Sequence, residues 1–118
     1  MATVDRLSSP SAFRSVFATG RSYAEGSVVV YVAKRPTGAG PARAGFVVSR
    51  KVGGAVARNR AKRLLREALR LEGRELPEGL DFVVVARPSV ANASYNDVAG
   101  DLRSILTAAG IGGGGSAG

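Results

Sequence analysis

Basic side chains are concentrated in one segment of this sequence. From residue 50 to residue 70 there are eight lysines and arginines and a single acid, Glu67, so the segment has a net charge of +7. The whole 118-residue chain has a net charge of +8, so the remainder is nearly neutral. Four of the bases recur every fourth residue, which in a helix forms one continuous stripe. These are Arg58, Lys62, Arg66 and Arg70.

The stripe predicts binding to a polyanion such as nucleic acid. Like charges four residues apart on a helix repel by a few tenths of a kcal/mol per pair, and phosphate groups would relieve that repulsion. Most of the bases are arginines, whose guanidinium group binds phosphate oxygens in pairs. Asn59, between two arginines, could add a directional hydrogen bond. The alternative is a basic face that meets only water. A second stripe lies beside the first and contains Arg60, Arg63, Glu67 and Arg74.

Three aromatic residues could stack on nucleic-acid bases. Phe13 and Phe17 are four residues apart, and Tyr31 lies in a β-branched apolar run. Exposed aromatic rings beside a basic groove stabilise single-stranded bases by about 1–3 kcal/mol each. Two phenylalanines at this spacing usually pack in a core, so a core role, a groove role and one of each all remain open.

The composition excludes several kinds of catalytic site. The chain has no cysteine and no histidine, which excludes disulfides, Cys/His zinc sites, thiol nucleophiles and a histidine base. Its carboxylates are scattered, and Asp97 and Asp101, four residues apart on a predicted helix, are expected to face solvent. Asp81 begins a predicted strand. We therefore expect no catalytic residue and no metal site in this chain.

Three helices are predicted from caps and apolar spacing. Ser9 and Pro10 begin a helix over residues 10–19. A long helix over residues 55–72 carries the basic stripes, and its apolar stripe is predicted to contain Ala57, Ala61, Leu64, Leu65, Ala68 and Leu71. Ser94 and Asp97 form a capping box for the last helix, with Asp in place of the usual Glu or Gln.

Three β-branched runs predict strands. They cover residues 27–33, 44–49 and 81–87, and the first two are predicted to pair as a hairpin. The element order α-β-β-α-β-α indicates an α+β sandwich. We expect one domain over residues 1–110 and a flexible glycine-rich tail over 111–118. If the second and third strands are parallel neighbours, the general rule predicts a right-handed crossover.

The basic segment resembles the signature of the bacterial ribonuclease P protein component. The matching residues are S-R-K-V-G-G-A-V-A-R-N-R-A-K-R-L-L-R-E-A over residues 49–68. F-R-S-V-F-A-T-G-R over 13–21 resembles the family's first-helix motif, and residues 29–32 and 82–87 resemble two of its strands. The resemblance covers about residues 5–107.

The resemblance implies a fold more specific than the residues alone predict. It implies a two-layer α-β sandwich with an about four-stranded sheet and three helices, like the second domain of ribosomal protein S5. It also implies a left-handed βαβ crossover that carries the basic helix, which replaces the general expectation of a right-handed one.

The resemblance also implies a function. The family's protein assists a catalytic RNA that removes the 5′ leader from precursor tRNA, with Mg²⁺ held mainly by that RNA. By position, Phe13, Phe17 and Tyr31 would face the leader. The implied RNA-binding residues are Arg50, Lys51, Arg58, Asn59, Arg60, Lys62, Arg63, Arg66 and Arg70. Of these, Lys62 and Arg66 would line the same groove as the aromatic residues.

The expected partners are therefore ribonuclease P RNA and precursor tRNA, with no membrane and no required protein oligomer. The sequence has no run of 18 apolar residues and no apolar signal core near its start, so we expect a cytoplasmic protein. Two alternatives remain. A structural nucleic-acid binder would bind precursor and mature tRNA equally, whereas an autonomous nuclease would cut RNA without an RNA subunit.

Overall fold

Five strands form one mixed sheet in the order β1-β4-β5-β3-β2. The computed structural model describes residues 4–73 and 76–111. Its strands are β1 (Asp5–Arg6), β2 (Arg21–Glu25), β3 (Val28–Lys34), β4 (Arg43–Val48) and β5 (Leu80–Ala86). Its helices are α1 (Pro10–Thr19), α2 (Ala55–Glu72) and α3 (Tyr95–Ala108), with short 3₁₀ turns at Arg50–Val52 and Pro88–Asn92. Arg74 and all of the predicted tail except Ile111 lie outside the described residues.

The central strand is β5, which is antiparallel to β3 and parallel to β4. The predicted hairpin between residues 27–33 and 44–49 is therefore wrong, because β5 lies between those two strands. The hairpin partner of β3 is instead β2, which the sequence analysis missed. The turn that joins them has only two residues, and Gly26 has a φ of 54°, a conformation that favours glycine.

The predicted α+β sandwich is confirmed, with five strands rather than about four. Helix α2 connects the parallel strands β4 and β5, so the basic helix is the crossover of a βαβ unit. The left-handed sense of that crossover stays a prediction. Helices α2 and α3 pack on one face of the sheet, and α1 packs on the other.

The apolar stripe of α2 differs from the prediction at its end. Ala61, Leu65, Ala68 and Leu69 are the buried residues of this helix. Leu71 is 43% exposed, so its predicted core position is wrong. It follows Leu69 by two residues, which is about 200° of helical rotation, so its side chain points away from the sheet.

Both predicted helix caps are confirmed. The Oγ of Ser9 accepts a hydrogen bond from the backbone N–H of Ala12, and Pro10 is the first residue of α1. At α3, the N–H of Asp97 donates to Ser94 Oγ, and the N–H of Ser94 donates to the Asp97 carboxylate. Those local contacts fix where each helix begins.

A buried carboxylate ties the loop after β3 to the start of β5. Asp81 is 6% exposed and accepts hydrogen bonds from Arg35 at 2.6 Å and from Arg43 at 2.6 and 2.8 Å. The Arg35 guanidinium also donates to the carbonyl oxygens of Ala39 and Pro41. One ionic cluster therefore holds both ends of the loop over residues 35–42.

This cluster predicts a loss of stability in acid. Burial alone would raise the pKa of Asp81, but hydrogen bonds from Arg43 and Arg35 outweigh it and hold that pKa below its ordinary value. The stabilisation is thus complete above about pH 5 and disappears as the pH falls below about 4 through the lowered pKa. Urea unfolding between pH 6 and pH 2 should show this slope, and Asp81→Asn should flatten it. An equal slope in both proteins would contradict the assignment to Asp81.

Candidate nucleic-acid interface

The face of the sheet that carries α1 has an exposed apolar surface. Side chains of directly paired strand residues point to the same face. Val47, Val85 and Val29 form one such row across β4, β5 and β3, and all three are half-buried. Tyr31 lies on the same face, two residues from Val29. We call Val29, Tyr31, Val47 and Val85 the shelf; the valines were missed, although alternation along the strands could have found them.

The three predicted groove aromatics all lie at this face. Phe17 is 44% exposed, and its ring meets that of Tyr31 edge to face, with 4.8 Å between the ring centroids. Phe13, one helical turn earlier, is half-buried and packs against the same buried cluster as Tyr31, Val47 and Val85 of the shelf. The intervening core position of α1 is filled by Val16, which is 1% exposed. A core role for Phe17 is therefore excluded.

A groove opens at the β4 edge of the sheet. The two residues of β1 pair only with Arg43 and Ala44, so the rest of β4 is not covered by β1. The cavity beside it has a volume of about 910 Å³. It is lined by Phe13, by the segment over residues 4–8, by β4 and by side chains of α2. We call it the edge groove; the residues used below are Phe13, Gly45, Phe46, Lys62, Arg66 and Arg70.

The edge groove contains several of the predicted RNA-binding residues but only one of the three predicted aromatic residues. Lys62 and Arg66 lie beside Phe13, as the resemblance implied, and the guanidinium of Arg66 lies 6.0 Å from the centre of the Phe46 ring. Phe17 and Tyr31 are not among the residues that line this groove. Phe13 therefore belongs to both surfaces and connects the shelf to the cationic wall of α2.

The predicted RNA-binding residues form a basic ridge along α2 and the turn before it. The ridge consists of Arg50, Lys51, Arg58, Asn59, Arg60, Lys62, Arg63, Arg66 and Arg70. All nine side chains are exposed or half-buried. Within residues 4–73 and 76–111, only Arg70 of this set forms an ion pair, with Glu67 at 2.8 Å. The ridge is thus largely uncompensated by the protein's own acids.

One ridge residue also has a structural contact. The guanidinium of Arg60 donates to the carbonyl oxygen of Ala93 at 2.9 Å, which ties α2 to the turn before α3. Loss of Arg60 would therefore disturb both the charge of the ridge and the packing of that turn. Arg58 and Arg63 give a cleaner measure of charge, because no hydrogen bond within the described part of the chain engages either side chain.

The three carboxylates considered in the sequence analysis all have structural contacts. Asp81 holds two arginines, Asp97 caps α3, and Asp101 accepts a hydrogen bond from the N–H of Ser27 at 3.0 Å. Asp101 is half-buried at the β2–β3 turn, so its predicted solvent-facing position is wrong. No three His, Cys, Asp or Glu side chains come together among the residues that the structure describes.

Among the described residues, no helix is both long enough and apolar enough to cross a lipid bilayer.

Comparison with known proteins gives a consistent result. A family model described as Ribonuclease P matches residues 1–110. The ribonuclease P protein component of Symbiobacterium thermophilum is 42% identical, over 90% of this chain and 91% of that protein. That of Kocuria rhizophila is 43% identical, over 91% and 93%.

Solved structures of two such proteins have a similar fold. The RNase P protein from Thermotoga maritima has a TM-score of 0.75 at 31% identity, covering 92% of this chain and 99% of that one. The Staphylococcus aureus RNase P protein has a TM-score of 0.79 at 27% identity, covering 90% and 95%.

Proposed function

The chain belongs to the ribonuclease P protein family, and from this premise we propose that its shelf, together with Phe13 and Phe17 of α1, binds the 5′ leader of precursor tRNA. As a subunit of this endoribonuclease of tRNA 5′ maturation, it has the ribonuclease P RNA as its partner. We assign contact with that RNA to the residues of the basic ridge that lie outside the edge groove. The observation that carries the proposal is Phe13, which lies both beside the shelf and in the edge groove with Lys62 and Arg66.

The shelf suits a single strand better than a duplex. In a duplex the faces of the bases are stacked on one another, whereas an unpaired leader can offer them to protein rings. The edge-to-face contact with Tyr31 leaves much of the Phe17 ring exposed to solvent. Every base has a π-face, so stacking of this kind tolerates leaders of different sequence.

The ridge supplies affinity rather than sequence recognition. Lysine and arginine contacts to phosphates depend steeply on salt and carry little information about base identity. Arg50, Lys51, Arg58, Asn59, Arg60 and Arg63 are assigned to the ribonuclease P RNA in this proposal. Lys62, Arg66 and Arg70 line the edge groove and are assigned to phosphates of the leader.

Bond cleavage is assigned to the RNA subunit, with Mg²⁺ held mainly by that RNA. The chain has no histidine, and Asp81, Asp97 and Asp101 each serve a structural contact. The protein's part is therefore to bind and orient the substrate. We propose the cytoplasm as the place of this reaction.

Phe17→Ala should weaken binding of precursor tRNA to the holoenzyme by roughly tenfold, the effect of losing one base–aromatic stack of about 1–3 kcal/mol. Binding of mature tRNA should stay unchanged, because it has no leader. The thermal midpoint of the free protein should change little, since the ring is 44% exposed. Equilibrium binding of both RNAs to wild-type and variant holoenzyme measures this difference.

Two conservative variants separate stacking from volume. Phe17→Tyr should retain precursor affinity because it keeps the aromatic face, whereas Phe17→Leu should lose most of it. Equal losses for precursor and mature tRNA would contradict leader binding at the shelf and favour a general RNA-binding role. A large loss of stability in Phe17→Ala would instead indicate a packing role.

A further inference from the structure

We propose that Gly45 is a positioning residue for substrate binding, because its lack of a side chain seats the Phe13 ring directly against β4. This inference rests on the proposed function, since it concerns the ring that joins the shelf to the edge groove. It assigns a role to a buried strand residue that itself offers no group to RNA.

The space above Gly45 is filled by Phe13. A Cβ atom built on Gly45 would lie 2.3 Å from Cζ and 2.7 Å from Cε1 of that ring, and 3.2 Å from the carbonyl oxygen of Leu7. Carbon atoms in ordinary contact are about 3.5–4.0 Å apart. An alanine at this position would therefore force the ring outward by roughly 1 Å or more.

Backbone conformation does not explain the glycine. Gly45 is not one of the glycines with positive φ, and it pairs in register with Val83 in the parallel ladder. Any residue can adopt such a strand conformation. Space for the Phe13 ring, and not backbone freedom, is what requires glycine here.

The position of the Phe13 ring against Gly45 determines where the shelf and the edge groove meet. Gly45, Val83 and Tyr31 form one row across β4, β5 and β3, so a ring resting on Gly45 lies at the same level of the sheet as Tyr31. The same ring lines the edge groove with Lys62 and Arg66. Moving the Phe13 ring outward would narrow the space between the shelf and the side chains of Lys62 and Arg66.

The test measures binding of precursor and mature tRNA to holoenzymes made with four proteins: wild type, Gly45→Ala, Phe13→Ala and the double variant. Gly45→Ala should weaken precursor binding about five- to tenfold, part of the effect of one stacked base, with mature tRNA unchanged. In the Phe13→Ala background, the same change should alter precursor binding less than twofold, because there is no ring left to displace.

An NMR measurement on the free protein reports directly on the contact between Gly45 and the Phe13 ring. The Hα protons of Gly45 should show a ring-current shift from the adjacent Phe13 ring, and Phe13→Ala should abolish this shift. Gly100→Ala is the matched control, because a Cβ at Gly100 meets no atom within 4 Å. It should change neither precursor binding nor the Phe13 ring signals, whereas Gly45→Ala should move those ring signals.

The outcomes distinguish this inference from the function on which it rests. If Phe13→Ala weakens precursor binding and Gly45→Ala does not, the positioning role is wrong and leader binding stands. If neither Phe13→Ala nor Phe17→Ala affects precursor binding, the proposed leader site is wrong and the inference fails with it. Equal loss from Gly45→Ala with and without the Phe13 ring would also overturn the inference.

Should Gly45→Ala alone fail to fold, the double variant decides. Recovery of folding when Phe13 is also alanine supports a clash with that ring, and continued failure to fold overturns the proposal.

Discussion

Replacing Arg58 and Arg63 together with alanine is expected to weaken binding of ribonuclease P RNA about 25- to 60-fold at 0.1 M monovalent salt. Each phosphate contact contributes about 0.7–0.9 to the slope of log K against log salt, so losing two should reduce that slope by about 1.4–1.8. Neither side chain pairs with an acid in the part of the chain that the structure describes, so the fold should not change. Filter-binding titrations over a range of salt concentrations measure both quantities.

Arg21→Ala with Lys34→Ala is the matched control. It removes the same net charge away from the ridge, and both side chains are exposed and form no ion pair within the described residues. Its salt slope should stay close to that of the wild-type protein. Equal effects of the two double variants would mean that net charge, rather than the ridge, governs RNA affinity.

Asp81→Asn is expected to destabilise the folded protein by about 2–4 kcal/mol at neutral pH. The substitution leaves Arg35, whose side chain is 13% exposed, without its counter-charge, and it also weakens the contact with Arg43. Removing one partner of a largely buried ion pair costs more than removing an exposed pair, because the remaining charge stays desolvated. Urea-induced unfolding at pH 7 gives the change in the free energy of unfolding.

Glu72→Gln provides the comparison for an exposed pair. Its partner Arg103 is 64% exposed, and such surface pairs contribute about 0–1 kcal/mol. A loss in Asp81→Asn no larger than that in Glu72→Gln would show that the loop over residues 35–42 does not depend on the Asp81 cluster.

Helix positions could be predicted from the sequence because the signals that begin a helix are local. Ser9 with Pro10, and Ser94 with Asp97, lie within four residues of the backbone groups that they satisfy. Strand partners could not be predicted in the same way. The run over residues 44–49 is next along the chain after β3, but its partner is β5, and no local pattern encodes that choice.

In the candidate site, the burial of the two phenylalanines could not be predicted from local sequence pattern. Phe13 and Phe17 lie on successive turns of α1, and the sequence did not predict which of them is buried. Their difference arises from what lies beneath each ring: Gly45 admits Phe13 to the sheet, whereas Tyr31 holds the Phe17 ring above it. The basic ridge could be predicted from the sequence because all its residues lie between positions 50 and 70, whereas the shelf depends on valines from three separate strands.

The central place of β5 in the sheet has a consequence for synthesis on the ribosome. Translation proceeds from the N-terminus, so only the β2–β3 hairpin and the two-residue pairing of β1 with β4 can form before residues 80–86 emerge. Until then β4 is not connected to the β2–β3 hairpin, and the apolar stripe of α2 lacks the central strand of the sheet on which it packs. A chain that ends before residue 80 would thus leave the strongly cationic, amphipathic segment of α2 incompletely packed. Completion of the last central strand is what converts that segment from a non-specific polycation into an ordered surface.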